Sequence, residues 1–210
     1  MAAEDREAIE REIRSCHQQG DAGRAVEVAL KSYGPEIYGF LMAFHRAETD
    51  ADEVFSIFAE RLWTGLPTFA WDCSFRTWAY TIARNAAKNY RDQLRVRARA
   101  HVALPDGSIS FAGITAQVRA ETAEYLKSQT KDRIARLRES LSNDEQMLLS
   151  LRLDRGLAWN ELARVLHDGP QEELTAEVLK RESSRLRKRF QSVKEKLAAL
   201  AREQGLLGDS

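Results

Sequence analysis

SFRTWAYTIARNAAKNYRDQLRVRARA, residues 74–100, runs for 27 residues without a glycine or proline. Nothing in it breaks a helix, and its Ala, Arg, Leu and Lys favour one. With 100° per residue and Arg84 as origin, Lys88 falls at about 40°, Arg91 at about 340° and Arg95 at about 20°. Phe75, Ile82 and Ala86 fall at about 160–200°, with Trp78 and Tyr90 to either side. The stretch therefore predicts an amphipathic helix from Ser74, with core on one face and a narrow basic stripe on the other. Two readings of the stripe stand side by side. Most amphipathic helices have a solvated charged face, but such a face usually mixes signs. This one carries a single sign, with Asp92 only at its flank, as a row of phosphate contacts requires.

Upstream, Gly65-Leu66-Pro67 ends a preceding helix, which Thr49 or Asp50 is expected to cap and which carries Val54, Phe55, Phe58, Leu62 and Trp63. Before that, Asp21 suits the N-cap of a helix ending at Tyr33. Gly34-Pro35 is read as its stop, and Pro35 as the first turn of the next helix, with Ile37, Tyr38, Leu41, Met42 and Phe44 apolar. Glu4 to His17 reads as a charged helical extension. Trp63 and Trp78 lie at helical spacing and are expected in the core.

Downstream, periodicity fails from Val96 to about Gly113, and Leu104-Pro105-Asp106-Gly107 is a turn signal. A helix is expected to resume by Glu121 and run to Leu141. Ser142 and Glu145 have the capping-box spacing, ahead of Met147, Leu148, Leu151 and Leu153. Gly156 ends that helix. Ala158 to Leu166 predicts a short helix, and a turn with Gly169-Pro170 follows. A long helix then carries Leu179, Leu186, Phe190, Val193, Leu197 and Leu200, with Arg181, Ser184, Arg185 and Lys188 on the opposite face. A short helix, a turn and a helix with a basic outer face is the helix-turn-helix plan, although helical hairpins without a DNA role are common. The expected fold is all-α: two small helical domains joined by a flexible linker, the second a helix-turn-helix. The boundaries are 1–97, a linker at 98–122, and 123–210.

The formal net charge is zero, which argues mildly against a nucleic-acid binder. The charges are segregated, however. Asp50 to Trp63 holds four acids against Arg61. Arg84 to His101 holds six bases against Asp92, and Lys180 to Arg189 six against Glu182. Acidic and basic surfaces kept apart suit partners of opposite sign. No apolar run approaches the ~20 residues that span a bilayer, and the charged start is not a signal peptide. Cys16 and Cys73 read as free thiols of a reduced cytoplasmic protein, and two thiols do not make a zinc site. No phosphate loop, nucleophile elbow or metal cluster is visible, so an enzyme, a metal and a cofactor are not expected.

Two segments resemble sigma factors of the sigma-70 family, in the extracytoplasmic-function group. The first is Asp50-Ala-Asp-Glu-Val-Phe55 with Leu62-Trp63, followed by Cys73-Ser-Phe-Arg-Thr-Trp-Ala-Tyr-Thr-Ile-Ala-Arg-Asn-Ala87. The second is Leu141 to Leu149 and Gly156 to Ala163, followed by Ser184-Arg-Leu-Arg-Lys-Arg189. The resemblance implies a transcription initiation factor, not an enzyme, acting in the cytoplasm. It implies core RNA polymerase (β′ clamp helices and β flap) and promoter DNA as partners, with an anti-sigma factor or a Ser/Thr kinase as candidate regulators.

The acidic helix would then dock on polymerase through Asp50, Asp52, Glu53, Ser56 and Glu60. The loop and helix from Phe69 to Arg95 would melt and read the −10 element through Trp71, Ser74, Arg76, Arg84, Asn85, Lys88, Arg91 and Arg95. Trp71 suits either base stacking or a core plug. The last helix would read the −35 element through Arg181, Ser183, Ser184, Arg185 and Lys188, and the linker would thread the polymerase channel. Runner-up readings are a stand-alone helix-turn-helix regulator and a helical protein–protein adaptor.

Two departures from the family pattern stand out. Ser56-Ile57 replaces the usual Gln-Glu pair, and phosphorylation of Ser56 would restore negative charge there. The turn within 167–180 is also about nine residues longer than the family's. Asp168 to Thr175 is then either an extra loop or an earlier start of the recognition helix.

Overall fold

A computed structural model describes residues 3–45, 47–100, 113–114, 116–119, 137–138 and 140–203. Its regular structure is helical, with no strand among the described residues. The chain divides into two compact units, Met1–Leu126 and Lys127–Ser210. The turn expected at Leu104–Gly107, and most of the helix expected from Glu121 to Leu141, lie outside the described residues.

The first unit holds α1 (Ala3–Gln18), α2 (Ala22–Phe44), α3 (Glu48–Gly65) and α4 (Phe75–Ala100). Asp21 caps α2 as expected, its Oδ1 accepting from the Arg24 N–H at 2.9 Å. The expected stop at Gly34-Pro35 is absent, and α2 runs through both residues. A proline inside a helix forfeits one ladder bond and costs about 3 kcal/mol. Burial offsets this cost, because Val26, Ala29, Leu30 and Tyr33 before the proline and Ile37, Tyr38, Phe40 and Leu41 after it all enter one core. Tyr38 meets Phe55 edge-on at 5.3 Å, and Phe40 meets Tyr80 at 5.7 Å. Neither Thr49 nor Asp50 caps α3. The helix starts earlier, with Ala47 at the N-cap and no side-chain cap, and Glu48 and Asp50 lie within its first turn. The expected stop is observed at Gly65, followed by a 3-10 turn over Leu66–Thr68.

Helix α1 is integral to the unit and not an appendage: Ile13 is fully buried, and α1 packs along α2. The N-terminal half of α4 is buried on nearly every side. Phe75 and Ala86 fill the expected core face with Ala79 and Ala83 beside them, Ile82 is only half-buried, and Thr77, Tyr80 and Ala87, on the side of the stripe, are buried too. The small and aromatic residues among its early cations mark α4 as a central helix. Trp63 and Trp78 are only half-buried, and Trp78 stacks on Phe69 at 4.5 Å.

In the second unit the expected capping box opens α5 (Asn143–Leu149). The Glu145 carboxylate accepts from the Ser142 N–H at 2.7 Å. The helix then widens into a π turn over Ser150–Asp154, with the Arg155 N–H donating to the Ser150 carbonyl. Leu153, expected on the apolar face, is 56% exposed; at about 100° per residue it falls about 200° round the helix from buried Leu151. Gly156, at φ +67°, makes the bend into α6 (Trp159–Val165). Residues 168–175 form an extra loop with a 3-10 turn at Gln171–Glu173, and α7 (Ala176–Glu203) begins after it. Leu148, Leu149, Leu151, Leu157, Leu162 and Val165 are fully buried; Leu186, Phe190 and Val193 of α7 close the core.

Candidate nucleic-acid interface

The loop before α4 is tied down from α1. Trp71 stands at φ +60°, a left-handed conformation that costs a bulky residue about 1–2 kcal/mol. Its indole N–H donates to His17 Nδ1 at 3.0 Å, the Arg14 guanidinium lies 5.2 Å over its ring, and Phe69 packs beside it at 4.8 Å. The ring is half-buried, neither a free platform nor a sealed plug. Glu10 caps α4 from 65 residues away in sequence, its carboxylate accepting from the Phe75 N–H at 2.7 Å and the Arg76 N–H at 2.9 Å. The Tyr33 hydroxyl donates to the same carboxylate at 3.1 Å. Ser74 adds a local cap, its Oγ accepting from the Thr77 N–H at 3.1 Å.

The cations of α4 separate into two kinds. Arg76 is buried, its Nε 2.6 Å from Glu36 Oε1, its Nη2 3.0 Å from Oε2, and its guanidinium over Tyr80. That guanidinium is committed to the core, which corrects its placement on the DNA face. Arg84 is also buried, with Nη1 3.2 Å from Asn85 Oδ1, so the stripe does not begin there. Lys88 is exposed, Asn85 is half-buried, and Arg91 is half-buried against the Phe44 ring at 5.0 Å. The Arg95 backbone continues α4, and its side chain lies outside the described residues. The outward basic face of α4 among the described residues is thus Lys88, with half-buried Arg91 at its edge.

The acidic helix α3 presents Glu53, Ser56 and Glu60 outward. Asp50 and Asp52 have internal duties: Asp50 accepts from the Tyr90 hydroxyl at 3.0 Å, and Asp52 from the Tyr38 hydroxyl at 2.7 Å. Burial, reinforced by the Asp52 hydrogen bond, pushes the Tyr38 phenol above its usual range, which keeps it a donor.

In the second unit the helix pair is present. Trp159 opens α6, packs edge-on against Phe190 of α7 at 5.6 Å, and is flanked by Arg152 at 4.7 Å and Arg187 at 5.6 Å. Arg181, Ser184, Arg185 and Lys188 are exposed along α7. Arg181 and Arg185 reach Glu182 only at 3.6 and 3.5 Å, with side chains 74% and 77% exposed. Such surface pairs hold a cation weakly and leave it available to phosphate. Ser183 is the correction here. It is buried between the helices, its Oγ 2.9 Å from Asn160 Oδ1 and 3.2 Å from the Trp159 carbonyl, where it pins α6 to α7.

Reading the sequence missed Glu10, Arg14, His17, Glu36 and Arg119. Glu10 and His17 share the α1 face of the buried Ile13, a signal that was available. Glu36 sits between the core positions Tyr33, Ile37 and Phe40, a placement that asks for a buried partner. Among the described residues no group of three or more His, Cys, Asp and Glu could hold a metal ion.

Residues 29–97 match the family model described as Sigma-70 region 2. The chain is also similar to the RNA polymerase sigma-H factor of Pseudomonas aeruginosa, 28% identical over 157 residues that cover 71% of this chain and 78% of that protein.

Proposed function

We propose that this chain, for which those two similarities support a sigma factor of the sigma-70 family, is of the extracytoplasmic-function type and directs core RNA polymerase to promoters from the cytoplasm. The first unit would dock on the β′ clamp helices through α3 and engage the −10 element through the Trp71 loop and α4. The second would meet the −35 element through α7, near the β flap. The observation that carries this reading is the region 2 match over 29–97 together with exposed cations on α4 and on the second helix of a helix-turn-helix. Cations displace counterions from phosphates and give affinity without sequence information, and groups reaching base edges add specificity. No helix among the described residues is long and apolar enough to cross a membrane.

Run-off transcription with core polymerase on a library of upstream regions tests the proposal. Specific transcripts are expected only when the chain is present. Changing Arg181, Arg185 and Lys188 together to Ala should lower the salt slope of promoter binding by up to about 2.7, at about 0.9 per lost phosphate contact. A parental slope would remove α7 from the DNA. Tight, specific duplex binding without polymerase would point instead to a stand-alone regulator.

Control would act on α3 through an anti-sigma factor or a Ser/Thr kinase. Ser56 is exposed, its Oγ donating to the Asp52 carbonyl at 3.1 Å and accepting from Arg119 at 2.6 Å. A phosphoryl group there would add negative charge to the acidic helix. With Arg119 changed to Ala in both proteins, so that its 2.6 Å contact with position 56 does not enter, Ser56→Glu should bind core polymerase more tightly than Ser56→Ala; equal affinities would dispose of phosphorylation as the switch.

A further inference from the structure

We propose that residues 116–119 are a resident occupant of the α3 face, so that the free chain masks its own polymerase-docking surface. The inference rests on the reading of α3 as that surface.

The seat is built from both sides. Val118 is buried in the first unit, and its two γ-carbons lie 3.2 and 3.3 Å from where a Cβ on Gly34 would stand, with Phe55 Cζ at 3.5 Å. Any side chain at position 34 would press on Val118, so the glycine is what lets this segment settle against α2. It also occupies an interior helical position where glycine costs about 1 kcal/mol relative to alanine. Close approach by Val118 gives that cost a reason. Arg119 then reaches along α3. Its Nη2 donates to the Asp52 carbonyl at 2.9 Å and to Ser56 Oγ at 2.6 Å. Its Nε lies 3.3 Å from Asp52 Oδ1, and the guanidinium sits 6.0 Å over the Phe55 ring. One cation thus covers a carboxylate, a carbonyl and a hydroxyl on the helix whose acidity is to attract polymerase. A cationic partner surface would compete for the same groups.

A binding face occupied from within lowers apparent affinity by the fraction of time it is open. Two variants loosen the seat from opposite sides. Arg119→Ala removes the cation. Gly34→Ala crowds Val118 while favouring the helix, so it does not depend on α2 tolerating a worse residue. Binding of the full chain to core polymerase is measured for the parent and both variants. Both variants are expected to bind about tenfold tighter than the parent, or to bind where it does not. Parental or weaker affinity in both would overturn the mask and leave the docking reading standing. Absence of binding by all three would overturn the docking reading, and the mask with it.

Discussion

Arg76→Ala should cost the first unit about 3–5 kcal/mol, read as a lower urea midpoint of helical circular dichroism with an unchanged slope. The Arg76 and Glu36 side chains are only 5% and 18% exposed, and the pair is joined by two short contacts in fork geometry. Removing one partner strands the other charge in a medium that cannot solvate it. Burial of an intact pair, by contrast, contributes little net stability, because the desolvation of both ions offsets their attraction. The double variant Arg76→Met, Glu36→Leu should therefore recover most of the loss. Arg76→Lys should recover only part, since an ammonium cannot present two parallel donors. A single Arg76→Ala change costing under about 1 kcal/mol would mean that the pair is solvated in the folded protein.

This residue also marks where sequence reading succeeds and fails. Local chemistry was legible: the Asp21 cap, the Ser142–Glu145 box, the stop at Gly65 and the short and long helices of the second unit each rest on neighbours a few positions apart. What failed depended on partners distant in the chain. A local reading of Arg76 sees a cation and concludes solvent, because it cannot see Glu36 arriving from α2. Pro35 signals a stop unless the core on both sides outweighs it. Ser183 looks like a phosphate ligand until α6 turns out to lie against it. Leu153 is a local miss: two residues past buried Leu151 it falls about 200° round the helix, so the α period itself turns it outward. In the basic stripe of α4 the sequence overstated the start, Arg84, and was right that Lys88 is exposed; Arg76, expected among the DNA contacts, is buried as well.

Acid should destabilise the first unit below about pH 6.5, and His45 should be the cause. His45 closes α2, its N–H donating to the Leu41 carbonyl at 2.8 Å. Its ring is wedged against Phe44 at 5.1 Å and Tyr90 at 5.8 Å, and its buried Nε2 has no hydrogen-bond partner among the described residues. Burial lowers its pKa from 6.5 to about 4; Arg91 adds to the shift, and nearby Asp50 opposes it. The unfolded chain therefore takes up a proton near pH 6.5 that the folded chain refuses until about pH 4. Between these values the unfolded state holds more protons, so stability is complete above pH 6.5 and falls as pH drops. The loss should be about 2 kcal/mol at pH 5 and approach about 3 kcal/mol near pH 4. Urea midpoints at pH 7.5 and pH 5 measure it directly. His45→Phe keeps an aromatic ring in the wedge and removes the titration, so it should abolish most of the difference. The site lies where Tyr90 of α4 bonds Asp50 of α3, the join between the acidic and basic helices. A charged imidazole there would loosen that join first, and polymerase binding should weaken with acid in the parent but not in His45→Phe. An equal acid loss in both proteins would shift the cause to other groups and leave His45 as packing alone.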